Sequence, residues 1–137
     1  YADPALSLKY SRCRDYPEAA LNAISEMVRQ KGFQGVIVRH LILPGHIENS
    51  LNALTSLFLE FGARLPLSLM TQYFPATPQG PASMNRPVTR EEFERVYSHA
   101  LDLGFEQLYV QFPDEDPDRS PGPPPFVPDF RRESPFQ

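Results

Sequence analysis

Two basic side chains, Arg39 and His40, stand in the middle of the apolar run Val36-Ile-Val-Arg-His-Leu-Ile-Leu-Pro-Gly45. Buried strands seldom carry such groups without a ligand or a partner. A strand apolar on both faces belongs to a parallel sheet covered by helices, and in such sheets ligands bind beyond the carboxyl ends of the strands. Arg39 and His40 are thus the first candidates for function. Alternation along the strand sends them to opposite faces, which makes His40 the better candidate for hydrogen-bonded packing under a helix. Gln72 and Tyr73 hold a similar position at the polar end of the later run Pro66-Leu-Ser-Leu-Met-Thr-Gln-Tyr-Phe-Pro75. His46 and His99, on a loop and a helix, read as solvated. The sequence offers no Ser/His/Asp order, phosphate loop or cluster of metal ligands, so no residue is assigned to catalysis or to a metal.

The elements that must position these residues follow from periodicity and punctuation. Asp15-Tyr-Pro-Glu18 opens a helix, with Asp15 as cap, Pro17 in the first turn and Gly32 as the stop. Ala20, Ile24, Met27 and Val28 give it an apolar face. A strand over 36–43 follows, then a helix from about Glu48 to Phe61 stopped by Gly62, then a strand over 66–75. Thr89-Arg-Glu-Glu92 is a capping box that opens a third helix, closing at Gly104, and Leu108–Phe112 is a last strand. Ala5–Tyr10 supplies at most a weak strand ahead of the first helix. The order implies right-handed parallel βα units. The expected fold class is α/β, a partial (β/α) barrel with parallel strands, helices on one side, and an apolar edge open to a partner or to self-association.

Two segments lie outside that pattern. The loop 76–87 is rich in Pro and Gly and contains Met84-Asn-Arg86; within the first loop, Pro44-Gly45 reads equally as a plain turn or as a close approach to a ligand. From Pro113 onward eight of the 16 prolines fall in 25 residues, among Asp114, Glu115, Asp116 and Asp118. The division is therefore 1–112 as the partial barrel and 113–137 as an extended or disordered tail, which Phe126, Val127, Phe130 and Phe136 could pin to a surface.

Composition limits the function classes. The chain has 137 residues, enough for one domain, with 13 Lys plus Arg against 17 Asp plus Glu, a net charge of -4. That balance gives no electrostatic reason to expect nucleic acid or an anionic membrane as partner. No apolar run approaches the roughly 20 residues of a spanning helix, and the first residues lack a signal-peptide pattern, so a cytoplasmic protein is expected. Cys13 is the single cysteine, which excludes an internal disulfide and any multi-cysteine metal site within this chain.

Three blocks, Val38-Arg-His-Leu-Ile-Leu-Pro-Gly-His-Ile-Glu-Asn-Ser50, Leu69-Met-Thr-Gln-Tyr-Phe-Pro75 and Met84-Asn-Arg-Pro-Val-Thr-Arg-Glu-Glu-Phe93, together resemble the C-terminal half of radical SAM proteins of the pyruvate formate-lyase activating enzyme type. Lys9-Tyr-Ser-Arg-Cys-Arg-Asp-Tyr-Pro-Glu18 is similar to the segment preceding them in that family. The resemblance implies a partial (β/α)6 barrel that binds S-adenosylmethionine and a [4Fe-4S] cluster. It also implies, as partner, a glycyl-radical enzyme from whose glycine a deoxyadenosyl radical abstracts hydrogen. It further implies that Arg39, Gln72 and Tyr73 contact S-adenosylmethionine or the substrate. The family carries its cluster on an N-terminal CxxxCxxC loop that this sequence lacks, so the chain is expected to be an inactive C-terminal fragment of such an enzyme. The other expectation is a non-catalytic βα module that binds a partner protein through its open edge or its Pro-rich arm.

Overall fold

The computed structural model describes residues 1–75, 78 and 80–113. Ala76, Thr77, Gln79 and the tail from Asp114 onward, together with the extended-arm expectation placed on that tail, lie outside the described residues. Within them the chain is α/β, with four helices, α1 (Pro4–Ser11), α2 (Tyr16–Lys31), α3 (Ile47–Phe61) and α4 (Arg90–Leu103), and three strands, β1 (Val38–Leu41), β2 (Leu67–Met70) and β3 (Leu108–Val110). The strands form one parallel sheet in the order β1-β2-β3, with Val38 opposite Leu67 and Leu67 opposite Leu108.

Alternation along each strand divides the sheet. Leu67 and Leu69 are fully buried and, with Val38, Leu108 and Val110, meet Leu54 and Leu57 of α3 and Phe93, Val96 and Ala100 of α4. α2 is less embedded, packing Leu21, Ile24 and Val28 against this core with no residue fully buried. Among the described residues the opposite face carries no helix. It presents Arg39, Ser68 and Tyr109 in one register row, with Leu41 and Met70 in the next. Leu41 is 38% exposed and Tyr109 54%.

This is the one-sided βα layer expected from the sequence, with three differences. Ala5–Tyr10 belongs to helix α1, not a strand: Pro4 occupies its first turn and the Asp3 carboxylate accepts the Ala5 N–H at 2.7 Å, which together nucleate a helix. Asp15 precedes α2 without a side-chain capping bond. The strands are shorter than the apolar runs containing them, although ladder bonds continue past their ends from Ile42 N–H to the Met70 carbonyl (2.9 Å) and from Gln111 N–H to the Leu69 carbonyl (3.0 Å). Ile42, Leu43 and Pro44 are buried where the chain turns over the sheet end, so apolarity there reflects packing and not strand.

Candidate functional site

The carboxyl ends of β1 and β2 are roofed by two loops, and one carboxylate ties them together. Glu92, in the first turn of α4, accepts the Gly45 N–H (2.8 Å) and an Arg86 Nη2–H (2.8 Å) at Oε1. At Oε2 it accepts the Thr89 N–H (2.9 Å) and an Arg86 Nη1–H (2.7 Å). The Thr89 hydroxyl oxygen in turn accepts the Glu92 N–H, completing the capping box anticipated from the sequence. The two-point contact with Arg86 and the two backbone N–H donors hold the Glu92 carboxyl down to about 2. A residue that reads in the sequence as half of a helix cap thus also binds the Pro44-Gly45 turn and the Met84-Asn-Arg86 loop. No sequence signal foretells that reach, because the contact to Gly45 spans 47 residues.

Gly45 itself is constrained twice. Its φ is +75°, and a Cβ there would lie 2.6 Å from the Cβ of Ser83. Of the two readings of Pro44-Gly45 the structure shows the turn, closed by the His46 N–H to the Leu43 carbonyl (3.1 Å), with the neighbouring loop packed closely against Gly45. Gly45→Ala is expected to cost about 2 kcal/mol, combining left-handed strain with the clash; an unchanged chemical-denaturation midpoint would refute this.

Arg39 lies on the helix-free face, exposed, and makes no ion pair or hydrogen bond among the described residues. The expectation that it is buried is corrected: only the helix-side face of β1 is covered, so its guanidinium stays hydrated. His40, on the other face, shares a 3.0 Å hydrogen bond with the hydroxyl of Ser50, which is fully buried in α3. That is the packing role alternation assigned to it. Burial pushes its imidazole down to about 4, so it is neutral at pH 7.

Gln72 is half-buried beyond β2 and makes no side-chain hydrogen bond among the described residues. Tyr73 donates its hydroxyl to the Met84 carbonyl at 3.0 Å, pinning the short 3-10 turn Ala82–Met84 above the sheet end. Arg39 and Gln72 are thus left with free polar groups, while the Tyr73 hydroxyl is spent on the loop. Tyr73→Phe is expected to lower stability by about 1 kcal/mol through the unpaired carbonyl. Amide exchange near Met84 checks it, and unchanged protection there would sink the assignment.

Two histidines depart from the solvated reading. His46 shares a 2.9 Å bond with the Tyr10 hydroxyl and meets its ring edge-on, and His99 shares one of 2.9 Å with the Thr55 hydroxyl. Both rings are half-buried because a helix partner, α1 or α3, reaches them.

A groove of about 700 Å³ runs along the free edge of β1, lined by Ala20, Ile24 and Met27 of α2, by Val38 and His40, and by Leu57 of α3. A smaller cavity of about 480 Å³ at the start of α3 is lined by Asp3, His46, Asn49, Glu92 and Arg95. The donor set for an iron-sulfur cluster does not fit: Cys13 is exposed and alone, and among the described residues no group of three or more His, Cys, Asp or Glu could hold a metal ion. Nor is any helix among them long and apolar enough to cross a membrane. Comparison with protein-family models, with curated proteins and with solved structures finds no match for this chain.

Proposed function

We propose that this chain is the C-terminal wall of a radical SAM enzyme of the glycyl-radical activating type, contributing ligand contacts while the cluster is held elsewhere. One observation carries the reading. The three sequence blocks that bear the resemblance, 38–50, 69–75 and 84–93, converge at the carboxyl ends of parallel strands, joined by the Glu92–Gly45, Tyr73–Met84 and Arg86–Glu92 hydrogen bonds. In an open α/β sheet that end is where ligands bind. The helix-free face beneath it would then be the inner wall of the barrel, with Arg39 free for two-point recognition of a carboxylate and Gln72 free for polar contact. Tyr73 acts in this reading by shaping the loop.

Cleavage of S-adenosylmethionine needs three thiolates on the cluster, so the chain by itself carries out no radical chemistry, and no step through the cluster is derived from it. The test is to read the coding sequence upstream of Tyr1 and to express the continuous polypeptide anaerobically with iron and sulfide. The expected result is an in-frame CxxxCxxC and release of 5′-deoxyadenosine from S-adenosylmethionine. An open reading frame without that triad would overturn the proposal and leave the partner-binding module in its place.

A further inference from the structure

Among the described residues β1 pairs only with β2, which leaves its other edge open. The Val38 and Ile42 N–H groups point to that neighbour, bonding the Pro66 and Met70 carbonyls at 2.9 Å. In a parallel ladder alternate residues bond to opposite sides, so the N–H and C=O groups of Arg39 and Leu41 face outward. Beside them runs the groove of about 700 Å³ between α2 and α3. α2 lines it with Ala20, Ile24 and Met27, buries no residue fully, and leaves Met27 52% exposed. We propose that the β1 edge and this groove form one docking site for an extended segment of a partner protein. The segment pairs with β1, sets alternate apolar side chains between α2 and α3, and brings an acidic side chain beside Arg39.

Backbone chemistry and charge choose this occupant. An open edge presents donors and acceptors in a row at strand spacing, and an extended main chain matches that row. The pleat then sorts the incoming side chains. Those on the helix side join Val38 and His40 at the apolar groove, and those on the other side join Arg39 and Leu41. Arg39 is the one Arg or Lys of the groove lining, exposed and without an ion pair among the described residues, so it favours a carboxylate at its side. Glu18 and Glu60, exposed in the same lining, disfavour acids on the groove side. A second copy does not meet these terms. Two copies pairing edge to edge about a two-fold axis set Arg39 beside Ile37, Arg39 or Leu41 of the other copy, none of which carries an acid.

The inference rests on the edge and the groove, apart from the radical reading of the carboxyl end.

The probe is a fluorescent peptide, Val-Glu-Val-Glu-Val-Glu-Val, titrated into the full chain and followed by anisotropy and amide NMR. Saturable binding is expected, with shifts at Met27 and over residues 37–41, and the peptide with lysine in place of glutamate should bind about tenfold more weakly. Met27→Glu places a charge in the groove, and Leu41→Pro removes an outward N–H, a change that an edge strand tolerates; each should weaken binding about tenfold. Arg39→Ala should erase most of the preference for glutamate over lysine. No saturation by millimolar peptide, or shifts at Tyr109 and Gln111 in place of β1, would overturn the proposal. So would a dimer by light scattering that holds the β1 edge against the peptide, which assigns the edge to a second copy. Loss of binding once the polypeptide carries the residues encoded upstream of Tyr1 would overturn it too, by giving the edge to a strand of the same polypeptide.

Discussion

Replacing Glu92 by Ala is expected to lower the folding free energy by about 3 kcal/mol and to loosen both loops above the sheet end. The size follows from what is left behind. The Thr89 cap loses its reciprocal partner, the Gly45 N–H loses its acceptor, and Arg86 keeps its charge with no carboxylate beside it. The Glu92 side chain is only 15% exposed and its bonds to Arg86 are part-buried, so that contact is the one water replaces poorly, while the Gly45 and Thr89 N–H groups face solvent. Glu26 makes the instructive contrast. Arg29 bonds it at 2.6 Å and also draws its carboxyl down to about 2, yet both side chains stand in solvent, where such pairs contribute little. Arg29→Ala should therefore leave the urea midpoint in place while Glu92→Ala moves it. Equal midpoints for the two variants would refute the latch. The pH dependence has a definite sign. The Glu92 carboxyl lies lower in the folded state than its ordinary value of 4.5, so its contribution is complete above that value and is lost as pH falls through about 2.

How much of this was legible in the sequence depends on the range over which each signal acts. Local signals held: Gly32, Gly62 and Gly104 end their helices, and Thr89 with Glu92 forms the capping box, because each is decided within one turn. The alternation that sent Arg39 and His40 to opposite faces also held, since a period of two needs no tertiary knowledge. What failed was long-range. The apolarity of Val36–Leu43 suggested that Arg39 is buried, whereas it lies exposed on the face that the one-sided helices leave open. The partners of His46 and His99 lie 36 and 44 residues away, and nothing local to either histidine names Tyr10 or Thr55. Ala5–Tyr10, expected as at most a weak strand, forms a helix because Asp3-Pro4 is a start signal for one.

His40 sets the second large effect, an acid sensitivity that begins well before any carboxylate is protonated. The unfolded chain binds a proton at His40 near pH 6.5, whereas the buried imidazole resists it until about pH 4. Folding is thus opposed progressively as pH falls from 6.5 to 4, by about 1.4 kcal/mol per unit and about 3 kcal/mol in all, and the opposition is absent above pH 6.5. Glu92 adds its own loss only below about 4.5, so the two contributions occupy different windows. His40→Gln separates them. The amide preserves a polar contact to Ser50 but has no proton to gain, so the variant should be less stable at pH 7 by about 1 kcal/mol yet lose less stability than the parent down to pH 4.5, the remaining slope coming from His46, whose imidazole burial also holds down. Burial is the largest cause: Ser50, a fully buried residue of α3, supplies the imidazole with a neutral partner and no negative charge to hold a proton. Denaturant melts at pH 7, 5.5 and 4.5 for the two proteins decide the matter. Parallel losses in both would mean that another group governs acid unfolding and that the His40–Ser50 pair is merely well packed.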